Sequence, residues 1–156
     1  ISVFVIDYKE QIIPNRLNLT MFEIGLIFTF AFGMINLNLA KDMLLGMIIG
    51  AGSFLIITLL GGLIAGKEAM GFGDVKLMGA LGLYFGALNI GMIALMAFLI
   101  GAILSILLLV TKVKKTSDYI PFGPFIVIAT FIMIFIPSSI VLDTLLTVFT
   151  LGLNKR

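Results

Sequence analysis

Two aspartates stand where charge is expensive. Asp74 lies in Met70-Gly71-Phe72-Gly73-Asp74-Val75-Lys76, a carboxylate and two glycines set between strongly apolar segments, and Asp7 opens the polar stretch that follows the apolar start of the chain. A carboxylate at the edge of a bilayer is costly unless something uses or neutralises it. Two carboxyl groups held about 3 Å apart cannot both ionise; they share a proton, so one acts as base toward water and the other as acid toward a scissile carbonyl oxygen. Such a pair hydrolyses a peptide bond without His, Cys, Ser or a metal. The sequence contains no His and no Cys, so the usual zinc ligands are missing, and acid-base chemistry falls to Asp, Glu, Lys or Tyr. Gly71 and Gly73 let backbone come close to substrate or to a neighbouring helix beside Asp74. Lys76, within one helical turn of Asp74, either tunes the pair, binds substrate, or snorkels to the interface. The plain structural alternative is that both aspartates are solvated loop charges or helix caps.

The elements that must position these residues are membrane helices. Of the 156 residues, 61% are hydrophobic and 12% charged, and the mean hydropathy is +1.25. The fold class expected is an all-α polytopic membrane protein, one domain over residues 1–156, with about six transmembrane helices of which the first is truncated. Ile1 to Ile6 is apolar, lacks an initiator Met and is too short to span; it reads as the last turns of a helix that begins upstream. Pro14 forces a turn. Spans are expected from Leu19 to Leu37, with Thr20 and Glu23 as a capping box, and from Met43 to Ala65 after a polar turn at Asn36 to Asp42. The second span carries Gly46 and Gly50 in small-xxx-small spacing, followed by Gly52 and Ser53, which invites close packing. A short glycine-rich helix from Val75 to Leu88, enclosed by its neighbours, turns at Asn89 into a span from Ile90 to Thr111. The last apolar region, to about Leu151, is interrupted at Pro137 and crosses either once or twice.

Two crossings separate Asp7 from Asp74, so both fall on one face of the membrane. Two more bring the Lys112 to Asp118 loop to that face. Lys9, Arg16, Lys67, Lys76, Lys112, Lys114 and Lys115 then lie there, against Lys41, Lys155 and Arg156 opposite, so the positive-inside rule makes the aspartate face cytoplasmic. Glu10, Glu68 and Asp118 read as solvated loop charges. Nothing in the charge pattern points to nucleic acid.

Gly71-Phe72-Gly73-Asp74 resembles the Gly-x-Gly-Asp signature of the membrane aspartyl peptidases, which include prepilin and preflagellin peptidases and, more remotely, presenilins. Asp7 followed by Pro14-Asn15, the continuation Val75-Lys76-Leu77, and Pro121-Phe122-Gly123-Pro124 are most similar to bacterial type IV prepilin peptidases. The resemblance covers nearly the whole chain. It implies that Asp7 and Asp74 are the catalytic dyad, with no cofactor and no metal. It implies as substrate a type IV prepilin or a type II secretion pseudopilin, with a polar leader and a hydrophobic helix, cleaved at the cytoplasmic side of the bacterial inner membrane. Pro121, Phe122, Gly123 and Pro124 would line the substrate path or simply start a helix. Many bacterial members also methylate the new N-terminus through an upstream segment; that activity is not assigned to these 156 residues.

Two other readings belong to different classes. A small transporter would use Asp7 and Asp74 as a proton or cation site, although internal repeats are lacking. A silent membrane scaffold would tolerate neutral residues at both positions. Within the enzyme class, an archaeal-type preflagellin peptidase is the closer rival. Oligomeric state is not legible.

Overall fold

The computed structural model describes residues 2–10, 12–65, 70–111 and 121–150. Helix α1 covers Ser2–Glu10, α2 Asn15–Gly33, α3 Leu37–Ala65, α4 Phe72–Val110, α5 Gly123–Phe135 and α6 Ser138–Phe149. By length and apolarity the helices α2, α3 and α4 are each long enough to cross a bilayer, and α5 with α6, bent by 111°, is a further candidate if the pair is one broken span. Large apolar side chains such as Ile27, Phe30, Leu63 and Ile103 stand exposed, as lipid-facing positions do. The chain is an all-α polytopic membrane protein. The Lys112 to Asp118 loop, Lys67, Glu68, Lys155 and Arg156 fall outside the described residues.

The helix starts follow from local chemistry, and two differ from expectation. Helix α2 begins at Asn15, four residues before Leu19, because Pro14 sets the chain direction and its carbonyl accepts the N–H groups of Leu17 and Asn18 at 3.0 and 3.3 Å. The Thr20/Glu23 capping box therefore does not form. Thr20 lies within the helix, where its hydroxyl donates to the Arg16 carbonyl at 2.9 Å, and Glu23 is exposed on the same helix. Helix α3 begins at Leu37 and not at Met43, because the Asn36 side-chain oxygen caps it by accepting the N–H groups of Asn38 and Leu39 at 3.0 and 3.3 Å. Pro137 lacks an N–H and separates α5 from α6.

Helix α4 is two antiparallel legs. Its break is at Gly86, with φ 75 and ψ 178, a left-handed position that suits glycine. The contacts along α3 show the reversal. Gly46 packs against Gly82 and Gly86, Gly50 against Met78 and Ile90, and Phe54 against Phe98 with ring centroids 5.5 Å apart. Residues 72–85 thus run against α3 and residues 87–110 run with it. The turn falls three residues before Asn89, whose side chain donates to the Phe85 carbonyl at 2.9 Å across the corner. Asp42 fixes the corner from α3 by accepting the Ala87 N–H at 3.2 Å.

The small-xxx-small reading holds at Gly46 and Gly50, where any Cβ would meet the backbone of α4; Gly52 by contrast faces open space among the described residues. As expected, the first leg of α4 is enclosed: Leu77, Met78, Ala80 and Leu83 are at most 1% exposed. Burial of that leg in the middle of the bundle is what holds Asp74 in place.

Candidate active site

Asp74 sits in the first turn of α4, where its own N–H donates to the Gly71 carbonyl at 3.1 Å and its carboxylate lies at the positive end of the helix dipole. Asp7 comes from α1, which packs on α5. Both are 4% exposed. They line one cavity of about 430 Å³ together with Ile13, Asn15, Gly71, Gly73 and Lys76. The two carboxyl groups are near enough for the charge of one to act on the other.

The wall around the pair is built from the other motifs. Asn18, buried in the second turn of α2, donates its amide to the Gly73 carbonyl at 3.1 Å, and so ties the Gly-x-Gly-Asp turn to the helix that Pro14 starts. Asn15 accepts a 2.8 Å bond from the Lys76 ammonium on the rim. Gly73 abuts Ile13, whose side chain lies 3.2 Å from where a Cβ would be. Lys76 is exposed and pairs with a neutral side chain at the mouth of the cavity.

Gly123 has a position that sequence reasoning did not assign. A Cβ there would collide with the Asp7 carboxyl, and would also come within 3.3 Å of Ile13. Gly123 presents its backbone to Asp7, while Asp7 Oδ2 is buried without a hydrogen-bond donor among the described residues. Asp7 lies in the last turn of α1 as described. Burial pushes the Asp7 carboxyl above the ordinary carboxylate range, opposed in part by the Gly123 backbone.

Pro121 and Pro124 are buried at the start of α5. Phe122 belongs to an aromatic cluster, with ring centroids 5.0 Å from Phe98, 5.9 Å from Phe54 and 5.7 Å from Phe125. The Pro-Phe-Gly-Pro segment is thus anchored by rings on two neighbouring helices and holds Gly123 against Asp7. Asn18 was also missed by sequence reasoning. Its one available signal was an amide at i+3 from Asn15, on the same face of an otherwise apolar helix.

A second cavity, of about 390 Å³, lies between α2, the first leg of α4, and α5, with Val3 of α1 at its edge. Val3 is one turn from Asp7, and Leu77 is one turn from Asp74, so this cavity continues the dyad faces of both helices into the apolar layer. Its hydroxyls are committed elsewhere: Thr20 donates to Arg16, Tyr84 to the Met21 carbonyl at 2.6 Å, and Thr130 to Ile126.

Residues 1–106 match the model of the type IV leader peptidase family. Similar proteins include prepilin leader peptidase/N-methyltransferases of three bacteria. That of Xanthomonas campestris pv. campestris is 36% identical over 137 residues, 87% of this chain and 46% of the relative. That of Aeromonas hydrophila is 32% identical over 142 residues, 90% and 47% of the two chains. That of Escherichia coli is 33% identical over 135 residues, 85% and 57%. The chain spans about half the length of the curated relatives it matches. No solved structure matches it.

Proposed function

This chain belongs to the type IV leader peptidase family, and from that premise we propose that it is an aspartic endopeptidase that removes the leader from type IV prepilins or type II secretion pseudopilins at the cytoplasmic face of the bacterial inner membrane. The observation that carries the reading is the convergence of Asp7 and Asp74, which flank two crossings in the sequence, on one cavity in which both carboxyl groups are buried.

The ionised member of the pair takes a proton from water as its oxygen attacks the scissile carbonyl carbon. The protonated member donates to the carbonyl oxygen. Collapse of the tetrahedral diol breaks the C–N bond, the amine leaves protonated, and the pair again holds one proton. A polar leader fits the cavity rimmed by Asn15 and Lys76. The apolar cavity beside Val3 and Leu77, with its hydroxyls already bonded to backbone, suits the hydrophobic helix that follows. Gly71 and Gly73 line the cavity beside Asp74 without adding side chains of their own.

The test is incubation of the chain in liposomes with a purified prepilin, with the product masses measured. A single scission at the leader boundary is expected. No product from folded protein, or scattered cuts, would contradict the proposal. Because burial raises the Asp7 carboxyl, the shared proton persists to higher pH, and the alkaline limb of the rate profile is expected above the ordinary carboxyl value of about 4.

A further inference from the structure

A third cavity, of about 630 Å³, opens between α2, α3 and the first leg of α4, on the side of α2 away from the groove beside Val3. Its rim carries Arg16 and Lys76, and its remaining walls are largely apolar, with Phe22 from α2, Met47 and Ile48 from α3, and Gly79 from α4. Among the described residues no carboxylate lines it. Both rim cations are exposed, and the Lys76 ammonium is met by the neutral Asn15 oxygen. Helix α2 has 19 residues, or about 28 Å, which matches a hydrocarbon core of about 30 Å and puts Arg16 at one membrane surface. Asn18, 3% exposed, also lines this cavity, and its side-chain oxygen has no donor among the described residues.

We propose that this groove binds an anionic glycerophospholipid, its phosphate between Arg16 and Lys76 and an acyl chain along Phe22, Met47 and Ile48. Two cations at the surface above an apolar slot match a molecule whose charge is at one end and whose remainder is hydrocarbon. Basic pockets between helices recognise such headgroups, and each Arg or Lys near the surface contributes about fivefold in preference for anionic over neutral lipid. The depth of the slot separates this ligand from free phosphate, which would gain nothing from Phe22 or Ile48. The site also touches the dyad cavity, because Asn15 and Lys76 line both. A headgroup that draws Lys76 from Asn15 would change the mouth of the cavity that holds Asp74. The proposal rests on the chain lying in a bilayer and not on its being a peptidase.

The experiment is electron spin resonance of the intact chain in phosphatidylcholine vesicles, with spin-labelled phosphatidylglycerol compared with spin-labelled phosphatidylcholine as the motionally restricted lipid. The wild type is expected to prefer phosphatidylglycerol about twenty-five-fold, about fivefold from each of the two cations. Arg16→Gln should reduce that preference about fivefold, and Arg16→Gln with Lys76→Gln should abolish it. Ile48→Trp keeps both cations and fills the slot, so it should reduce the preference even where the charge variants fold poorly. Millimolar inorganic phosphate should not compete. Equal retention of the two lipids by the wild type, an undiminished preference in folded Arg16→Gln, or displacement by phosphate alone would overturn the site.

Discussion

At Gly123 the absence of a side chain has a specific use, since the Asp7 carboxyl occupies the space a Cβ would need. Gly123→Ala is expected to push Asp7 out of register with Asp74. A misplacement of about 1 Å can cost about a hundredfold in rate, so prepilin cleavage should fall about ten- to a hundredfold, mainly in kcat. Alanine is a better helix residue than glycine at the start of α5, so the protein should still fold in detergent. Wild-type cleavage by this variant would remove Gly123 from the site. Asp7, Asp74 and their glycines were legible in the sequence because charge and glycine beside apolar segments are conspicuous there. The Gly123 to Asp7 contact was not, since it joins distant parts of the chain and depends on how α1 docks on α5. Asn18 was hidden for a similar reason: an amide in a helix says little until its partner, the Gly73 carbonyl, is known.

Helix α3 and the two legs of α4 form the rigid frame on which the pair stands. A leucine in place of Gly46 would drive its side chain into the backbone of Gly82 and Gly86. Overpacking of this kind typically costs about 1–3 kcal/mol. Gly46→Leu is therefore expected to lower the unfolding temperature in detergent and to weaken cleavage, although Gly46 is remote from the dyad. Gly52→Leu is the control, because no described residue lies within 4 Å of the Cβ position at Gly52. Equal melting of the two variants would contradict the packing described here. The small-xxx-small spacing announced this contact, and the glycine content announced a reversal within α4. The ends of helices were less legible because competing caps decide them. Pro14 starts α2 ahead of the Thr20/Glu23 pattern, Asn36 starts α3 ahead of Met43, and the corner sits at Gly86, where a left-handed φ is needed, and not at Asn89.

Across the whole molecule, the bundle brings three separately encoded motifs to one end: Asp7 on α1, Pro14-Asn15 at the start of α2, and Gly71 to Lys76 at the start of α4. Crossing parity made that convergence legible from sequence, because α2 and α3 carry the chain out and back between the aspartates. The lateral grooves were not legible, since no local pattern encodes the gap left between packed helices. The central claim is that the two buried aspartates act as one machine, and the most direct measurement is prepilin cleavage by Asp7→Asn and Asp74→Asn in liposomes. Asn keeps the size of the side chain but cannot hold or transfer the shared proton, so each single variant and the double variant should all lose cleavage to the same background while remaining folded. Substantial cleavage by either single variant would contradict the dyad.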